Sequence, residues 1–173
     1  MANSLTPSAI QVNGFTYVPA YEGDEGLVVQ FTEGASQSFK AGDPVKLSAG
    51  KIIAATATAN NLDADQVLVG FAMKKATGVT DAACQVRVIR PSTDVFMVNL
   101  DPTATAGTFV TTMVGVPISI SQVGTEWFAD GDVTADAYVV PLASAEWGEI
   151  GLAAQVGGPI YVKFLEGNTI FVD

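Results

Sequence analysis

Histidine is absent from this sequence of 173 residues, which holds one cysteine and eight basic residues. The usual general base and the commonest zinc ligand are therefore missing, and Ser-His-Asp or Cys-His catalysis within the chain is excluded. The single cysteine, Cys84, forms no disulfide within the chain and has no activating neighbour in sequence, so we interpret it as a small buried hydrophobic residue. We expect no enzyme, no cofactor and no metal site.

The chain also has no long apolar run and no basic or apolar leader at its N-terminus. Nothing approaches the roughly 18 apolar residues of a membrane span, so we expect no membrane partner and synthesis in the cytoplasm. The net charge of −10 repels a phosphate backbone, which argues against nucleic acid as a partner. A phosphate-binding loop is missing as well, because Gly157-Gly158-Pro159 ends in a residue without a backbone N–H.

What the sequence does have is β-branched and apolar residues. Valine, isoleucine and threonine make up 47 of 173 residues, and these side chains pack well on pleated sheets. Hydrophobic residues reach 49% while charged residues reach only 15%, which is more apolar surface than a lone monomer usually needs. We therefore predict an all-β protein that buries part of its surface against other subunits.

Charge is distributed unevenly along the chain. Residues 40–90 contain seven of the eight basic residues against four acids, whereas residues 91–162 contain eight acids and no lysine or arginine. Such asymmetry either orients subunits in an assembly or marks two differently solvated faces of a monomer.

Short apolar runs separated by turn residues indicate strands along most of the chain. Phe39–Ala54 is predicted to form a hairpin preceded by a Gly-Asp-Pro corner, and Ile160–Val172 a second hairpin closed by a Gly-Asn turn. Val67–Met73 is apolar on both faces, which is typical of a central strand. Further strands are predicted at Phe15–Val18, Leu27–Phe31, Gln85–Arg90, Val95–Leu100, Gly107–Val110, Val114–Ser121 and Tyr138–Leu142.

The strand pattern begins only after a polar N-terminal segment. We interpret residues 1–13 as an extended arm and residues 14–173 as a single β domain, with a weak internal boundary near 101–106. A short helix is the most that residues 143–147 would form, because glycine and proline interrupt every longer helical pattern.

Two groups of carboxylates were weighed as binding sites. Asp130–Asp136 has acidic spacing, but an EF-hand loop would need glycine at its sixth position and a glutamate where Pro141 stands. Glu146, Trp147 and Glu149 place an aromatic ring between two acids, which suits a sugar, although a buried or interfacial tryptophan is the commoner outcome. Turn chemistry is the favoured interpretation of Asn61, Asp63 and Asp65.

Three short motifs resemble the head decoration, or cement, proteins of tailed bacteriophages: Ala41–Leu47 with its Gly-Asp-Pro-Val corner, Val69–Ala72 with Gly-Phe-Ala, and Gln85–Val88 with Val-Arg-Val. The resemblance covers roughly residues 39–90. It departs from the family's pattern at residues 80–84, where a glycine-rich turn is replaced by Thr-Asp-Ala-Ala-Cys.

The resemblance implies a β-barrel or sandwich, β-tulip or jelly-roll-like, on the outside of an icosahedral capsid. Its implied partners are the major capsid protein and two further copies in a homotrimer, and its implied location is the virion surface after synthesis in the host cytoplasm. Alternatives are a carbohydrate- or cell-surface-binding β-sandwich, or another virion part such as a tail tube, fibre or minor capsid protein. Because aromatic and apolar residues anchor interfaces, the candidate interface residues are Leu5, Ile10, Trp127, Phe128 and Trp147.

Overall fold

The fold is taken from a computed structural model, which describes residues 14–20, 25–58, 61–63, 66–107, 109–142 and 156–170. Within these ranges the ordered elements are strands and two short 3-10 helices, Thr111–Met113 and Glu166–Asn168, with no α-helix. The strands are β1 (Thr16–Val18), β2 (Val28–Thr32), β3 (Pro44–Ser48), β4 (Lys51–Ala54), β5 (Ala57–Thr58), β6 (Asn61–Leu62), β7 (Leu68–Ala72), β8 (Ala83–Val88), β9 (Val95–Asn99), β10 (Ser119–Val123), β11 (Glu126–Asp130), β12 (Val139–Pro141) and β13 (Pro159–Phe164).

These strands form three antiparallel sheets, which confirms the all-β prediction. The five-stranded sheet has the order β2-β8-β7-β3-β4. Two four-stranded sheets are named here by a central strand: the β9 sheet, with the order β1-β9-β13-β12, and the β10 sheet, with the order β11-β10-β6-β5. In the described part of the chain all three sheets are open, so a closed barrel is not formed.

The larger core lies between the β9 sheet and the β10 sheet. Apolar residues from both, such as Phe96, Val98, Ile120 and Trp127, are almost completely buried there. The parallel bridge between Leu100 and Ala129 brings the two sheets together at one end. This part of the molecule is therefore a β-sandwich.

The five-stranded sheet curls around a smaller core of its own. Val45, Val69, Val86 and Val88 are fully buried inside it, and the partly buried Val29, Phe31, Leu47 and Ala54 pack against them. Its two outer strands approach at one end only, where Glu33 forms a parallel bridge with Ile52. The five-stranded sheet is therefore curled but does not close into a barrel.

β7 contributes side chains to both cores, and its Phe71 packs in the larger one. Its ring stacks on Phe15 with centroids 4.8 Å apart and lies 4.9 Å from Phe96 and 5.6 Å from Phe164. The neighbouring Gly70 is required for this arrangement, because a Cβ there would lie 2.0 Å from the carbonyl oxygen of Arg87. The Gly-Phe-Ala motif is thus explained by packing.

Several predicted elements are confirmed. β3 and β4 form the predicted hairpin around the Ala49-Gly50 turn, and β7 is a central strand buried on both faces. The Gly-Asp-Pro corner ties β3 to β7, because the N–H of Ala72 donates to the Asp43 carbonyl at 3.0 Å. β1, β2, β8, β9 and β12 also lie within or beside their predicted runs.

Other predictions were wrong. Up to residue 170, where the described part of the chain ends, the second hairpin is not formed: after β13 the chain enters a 3-10 turn, and Thr169 forms a parallel bridge with Leu68 of the five-stranded sheet. Residues 107 and 109–110 belong to no strand and lead into the first 3-10 turn.

The candidate interface residues Trp127 and Phe128 lie within β11. Gly124, at φ 64°, makes the tight turn that lets β11 pair back onto β10. The predicted helix at 143–147 and the arm at 1–13 fall outside the described residues. The domain boundary near 101–106 remains a prediction.

Candidate interaction surface

The basic residues of the sequence gather on one sheet. Lys46 lies in β3, Lys51 in β4 and Arg87 in β8, while Lys40, Lys74, Lys75 and Arg90 lie in segments adjoining the same five-stranded sheet. The exception is Lys163 of β13. Charge asymmetry along the sequence thus becomes a charge difference between the five-stranded sheet and the rest of the molecule.

Ion pairs neutralise only part of this basic surface. Lys40 lies 3.4 Å from Glu126, Lys51 lies 2.8 Å from Asp81, and Arg90 lies 2.6 Å from Asp94. The first two pairs are exposed, and such pairs contribute only about 0.2–1 kcal/mol each. The Arg90–Asp94 pair is stronger because Asp94 is buried and also accepts the Arg90 backbone N–H.

Lys74 and Lys75 have no ion-pair partner in the described part of the chain. Both side chains are exposed and line a cleft of about 250 Å³ together with Gln30, Glu33, Cys84 and Gln85. Glu33 forms no ion pair with either lysine, because its carboxylate oxygens accept hydrogen bonds from a neighbouring loop (below), so two lysines face one acid in this cleft. This cleft is therefore a local excess of positive charge on the outer side of β2 and β8.

The backbone of β2 offers free hydrogen-bonding groups next to this cleft. The N–H of Val88 donates to Leu27 and that of Glu33 donates to Ala82, each at 2.8 Å. Because bonding residues alternate along an antiparallel ladder, the N–H and C=O groups of Val28 and Gln30 point away from β8. Within the described residues these groups have no hydrogen-bond partner.

The β2 edge also lacks the usual protection. Natural edge strands carry charges, prolines or bulges that prevent pairing with another chain. β2 reads Val-Val-Gln-Phe-Thr, and it is the only five-residue outer strand described here without a charged residue or proline. Leu27 and Val28, which begin this edge, are 41% and 37% exposed.

Glu33 holds the end of β2 against the loop that follows β7. Its side chain is 1% exposed, and one carboxylate oxygen accepts the N–H and the hydroxyl of Thr77 at 2.9 and 3.1 Å. The other oxygen accepts the N–H of Gly78 at 2.6 Å. A buried carboxylate with three donors is a structural clamp, so Glu33 fixes the loop beside Lys74 and Lys75.

The acidic segment at Asp130–Asp136 is built into turns. Asp132 accepts the N–H of Ala106 at 2.7 Å, and Asp130 accepts the N–H of Asp132 at 2.9 Å. Burial, with the nearby charges of Asp101 and Asp132, raises the pKa of Asp130. In the described ranges, histidine, cysteine and acidic residues form no group of three that suits a metal ion.

Asp101 has the opposite electrostatic environment from Asp130. Burial alone would raise its pKa, but hydrogen bonds outweigh that effect and the pKa is lowered. The donors are the hydroxyl and N–H of Thr103, at 2.6 and 2.7 Å, and the hydroxyl of Ser121 at 2.7 Å. Asp101 therefore fastens the end of β9 to β10.

Cys84 is buried inside the curled sheet, which confirms its interpretation as a small hydrophobic residue. Burial and the negative charge of Glu33 both raise the pKa of its thiol. The thiol consequently stays protonated at neutral pH.

Of the candidate interface residues, only two can be located. Trp127 is 2% exposed and packs in the larger core, while Phe128 is half-buried on the other face of β11. Leu5, Ile10 and Trp147 lie outside the described residues, as do the carbohydrate candidates Glu146 and Glu149. The two described candidates thus lie on opposite faces of β11.

The chain was compared with protein-family models, curated proteins and solved structures, and none of these matches it. Among the residues that the structure describes, no helix is long and apolar enough to cross a membrane.

The unprotected edge of β2 was missed at the sequence level. Leu27–Phe31 was predicted as a strand, but sheet order depends on which distant segments pair, and a strand's own sequence does not reveal this. A run without charge or proline is also typical of a central strand, so the run itself carried no signal that it lies at an edge.

Proposed function

We propose that this chain is a virion structural protein that decorates the outside of an icosahedral capsid and stabilises it by bridging capsid subunits. The observation that carries the proposal is the separation of charge between the basic five-stranded sheet and the acidic remainder of the molecule. A subunit with two faces of opposite charge is suited to binding between neighbours in a fixed orientation.

The composition supports the same proposal. Hydrophobic residues make up 49% of the chain and charged residues only 15%, which is more apolar than a lone monomer usually needs. The motifs that resemble those of phage decoration proteins fall on the hairpin and central strands of the five-stranded sheet. The proposed partners are the major capsid protein and, by resemblance, two further copies of this chain.

The proposed role is mechanical rather than catalytic. The chain has no histidine, and its only thiol is buried and protonated. Under this proposal the chain acts only by binding, since a decorating subunit stiffens a shell by linking capsid subunits that would otherwise move independently.

Size-exclusion chromatography with light scattering, followed by binding to capsid shells stripped of this chain, tests the proposal. We expect a species of three times the 17.9 kDa chain mass that rebinds the shells and raises their temperature of disruption. A monomer that does not bind the shells but binds immobilised glycans would contradict the proposal and favour the carbohydrate-binding alternative. The same glycan assay on a Trp147→Ala variant would then locate the sugar site.

A further inference from the structure

We propose that the free edge of β2 binds an extended segment of a partner protein, in which acidic and apolar residues alternate. The added strand pairs with the main chain of Val28 and Gln30. Its carboxylates face Lys74 and Lys75, and its apolar side chains complete the core of the curled sheet. This inference goes beyond the proposed function and does not depend on it.

The main-chain argument comes from hydrogen bonding. The N–H and C=O groups of Val28 and Gln30 point away from β8 and have no partner in the described part of the chain. An extended peptide that adds to a sheet edge satisfies such groups while side-chain pockets supply specificity. Beyond Gln30 the edge approaches β4 through the bridge between Glu33 and Ile52, so an added strand would be short.

The alternation of acidic and apolar residues in the partner segment follows from the two faces of β2. Val28 and Gln30 are exposed on the outer face, whereas Val29 and Phe31 are partly buried and pack against the smaller core. Successive side chains of an added strand point to the same two faces. Side chains on the inner side meet Val29 and Phe31 and should be apolar.

The acidic residues follow from charge complementarity on the outer face. Lys74 and Lys75 share the cleft with Gln30, and β2 itself carries no charge. The one carboxylate in the cleft, that of Glu33, accepts hydrogen bonds from Thr77 and Gly78 and forms no ion pair with a lysine, so the cleft keeps one positive charge in excess. An incoming strand with glutamate or aspartate on this side would supply the missing counter-charge.

Complementarity also argues against a second copy as the occupant. Pairing of two β2 edges about a two-fold axis would bring two sets of unpaired lysines onto one continuous sheet without adding an acid. Like charges at an interface oppose association, whereas an acidic segment is attracted.

The test uses fluorescence anisotropy of labelled peptides of about seven residues with the full chain. One peptide alternates valine and glutamate, and its control alternates valine and lysine. We expect the glutamate peptide to bind at least about tenfold more tightly. Equal binding of the two peptides, or binding of neither, would overturn the proposal.

Two matched substitutions test the backbone contact. Gln30→Pro removes the outward N–H, which donates to nothing within the sheet, whereas Gln30→Thr removes the same side chain and keeps the N–H. We expect binding to be lost in the first and retained in the second. Equal binding by both would show that the edge is not used.

The lysines provide a readout that does not depend on how Gln30→Pro folds. The double substitution Lys74→Gln and Lys75→Gln should lower the affinity for the glutamate peptide about tenfold and should not lower the affinity for the lysine peptide. An unchanged affinity would contradict the charge argument. If the peptide bound only after removal of residues 1–13, the occupant of the edge would be the chain's own N-terminal segment. If the protein without peptide formed a dimer that Gln30→Pro abolished, the occupant would be a second copy. Either result would overturn the proposal.

Discussion

Replacement of Glu33 by glutamine tests how the end of β2 is held. The carboxylate accepts three hydrogen bonds from Thr77 and Gly78 while almost completely buried. In Glu33→Gln one oxygen becomes an NH2 group that faces a backbone donor, so at least one charge-assisted bond is lost. Such bonds contribute about 1.5–3 kcal/mol each, and the exposed loop can recover part of this through water. We therefore expect a loss of about 2 kcal/mol.

Urea denaturation should show this loss as a lower midpoint with an unchanged slope. In a chain of this size about 2 kcal/mol corresponds to a fall of about 4–8 °C in the melting temperature. Glu25→Gln is the control, because Glu25 is exposed and the same charge is removed without a hydrogen-bonded loop. The reasoning is refuted if both variants change stability by the same amount.

Three further predictions follow from the same structure. Gly70→Ala should give no stably folded protein, because its Cβ would meet the Arg87 carbonyl, whereas Gly167→Ala, which has open space, should melt like the parent by circular dichroism. Asp101→Asn should lower the free energy of unfolding by about 1–3 kcal/mol near pH 7. Because folding lowers the pKa of Asp101, the ionised carboxylate stabilises the protein above its ordinary pKa of 3.8, and this stabilisation is lost as the pH falls through the folded-state pKa. Urea titrations of the parent and of Asp101→Asn at a series of pH values should therefore give free energies of unfolding that converge in acid. Self-association driven by the opposed charges should weaken as salt shortens the Debye length to about 10 Å, and salt-independent sedimentation would point to apolar contacts instead.

The central strands could be predicted because their signals are local. β7 is a continuous apolar run, and the β3–β4 hairpin is set by a Gly-Asp-Pro corner and a Gly-containing turn. Cys84 could be placed in a core for the same reason, since nothing beside it in the sequence activates a thiol.

The rest depended on contacts between distant residues. The chain after β13 contains apolar residues and a Gly-Asn turn, yet Thr169 pairs with Leu68 rather than with the preceding strand. Trp127 was a candidate interface residue because aromatic side chains anchor interfaces, but β11 directs it into the core. Neither the free edge of β2 nor its position beside Lys74 is encoded in adjacent residues.

Immunoelectron microscopy of purified virus particles, with antibodies raised against this chain, tests the proposed role in capsid decoration most directly. We expect regular labelling over the outer surface of the head, which disappears when the chain is stripped from the particles. Labelling confined to the tail, or no labelling of particles that carry their full set of capsid proteins, would contradict the proposed role.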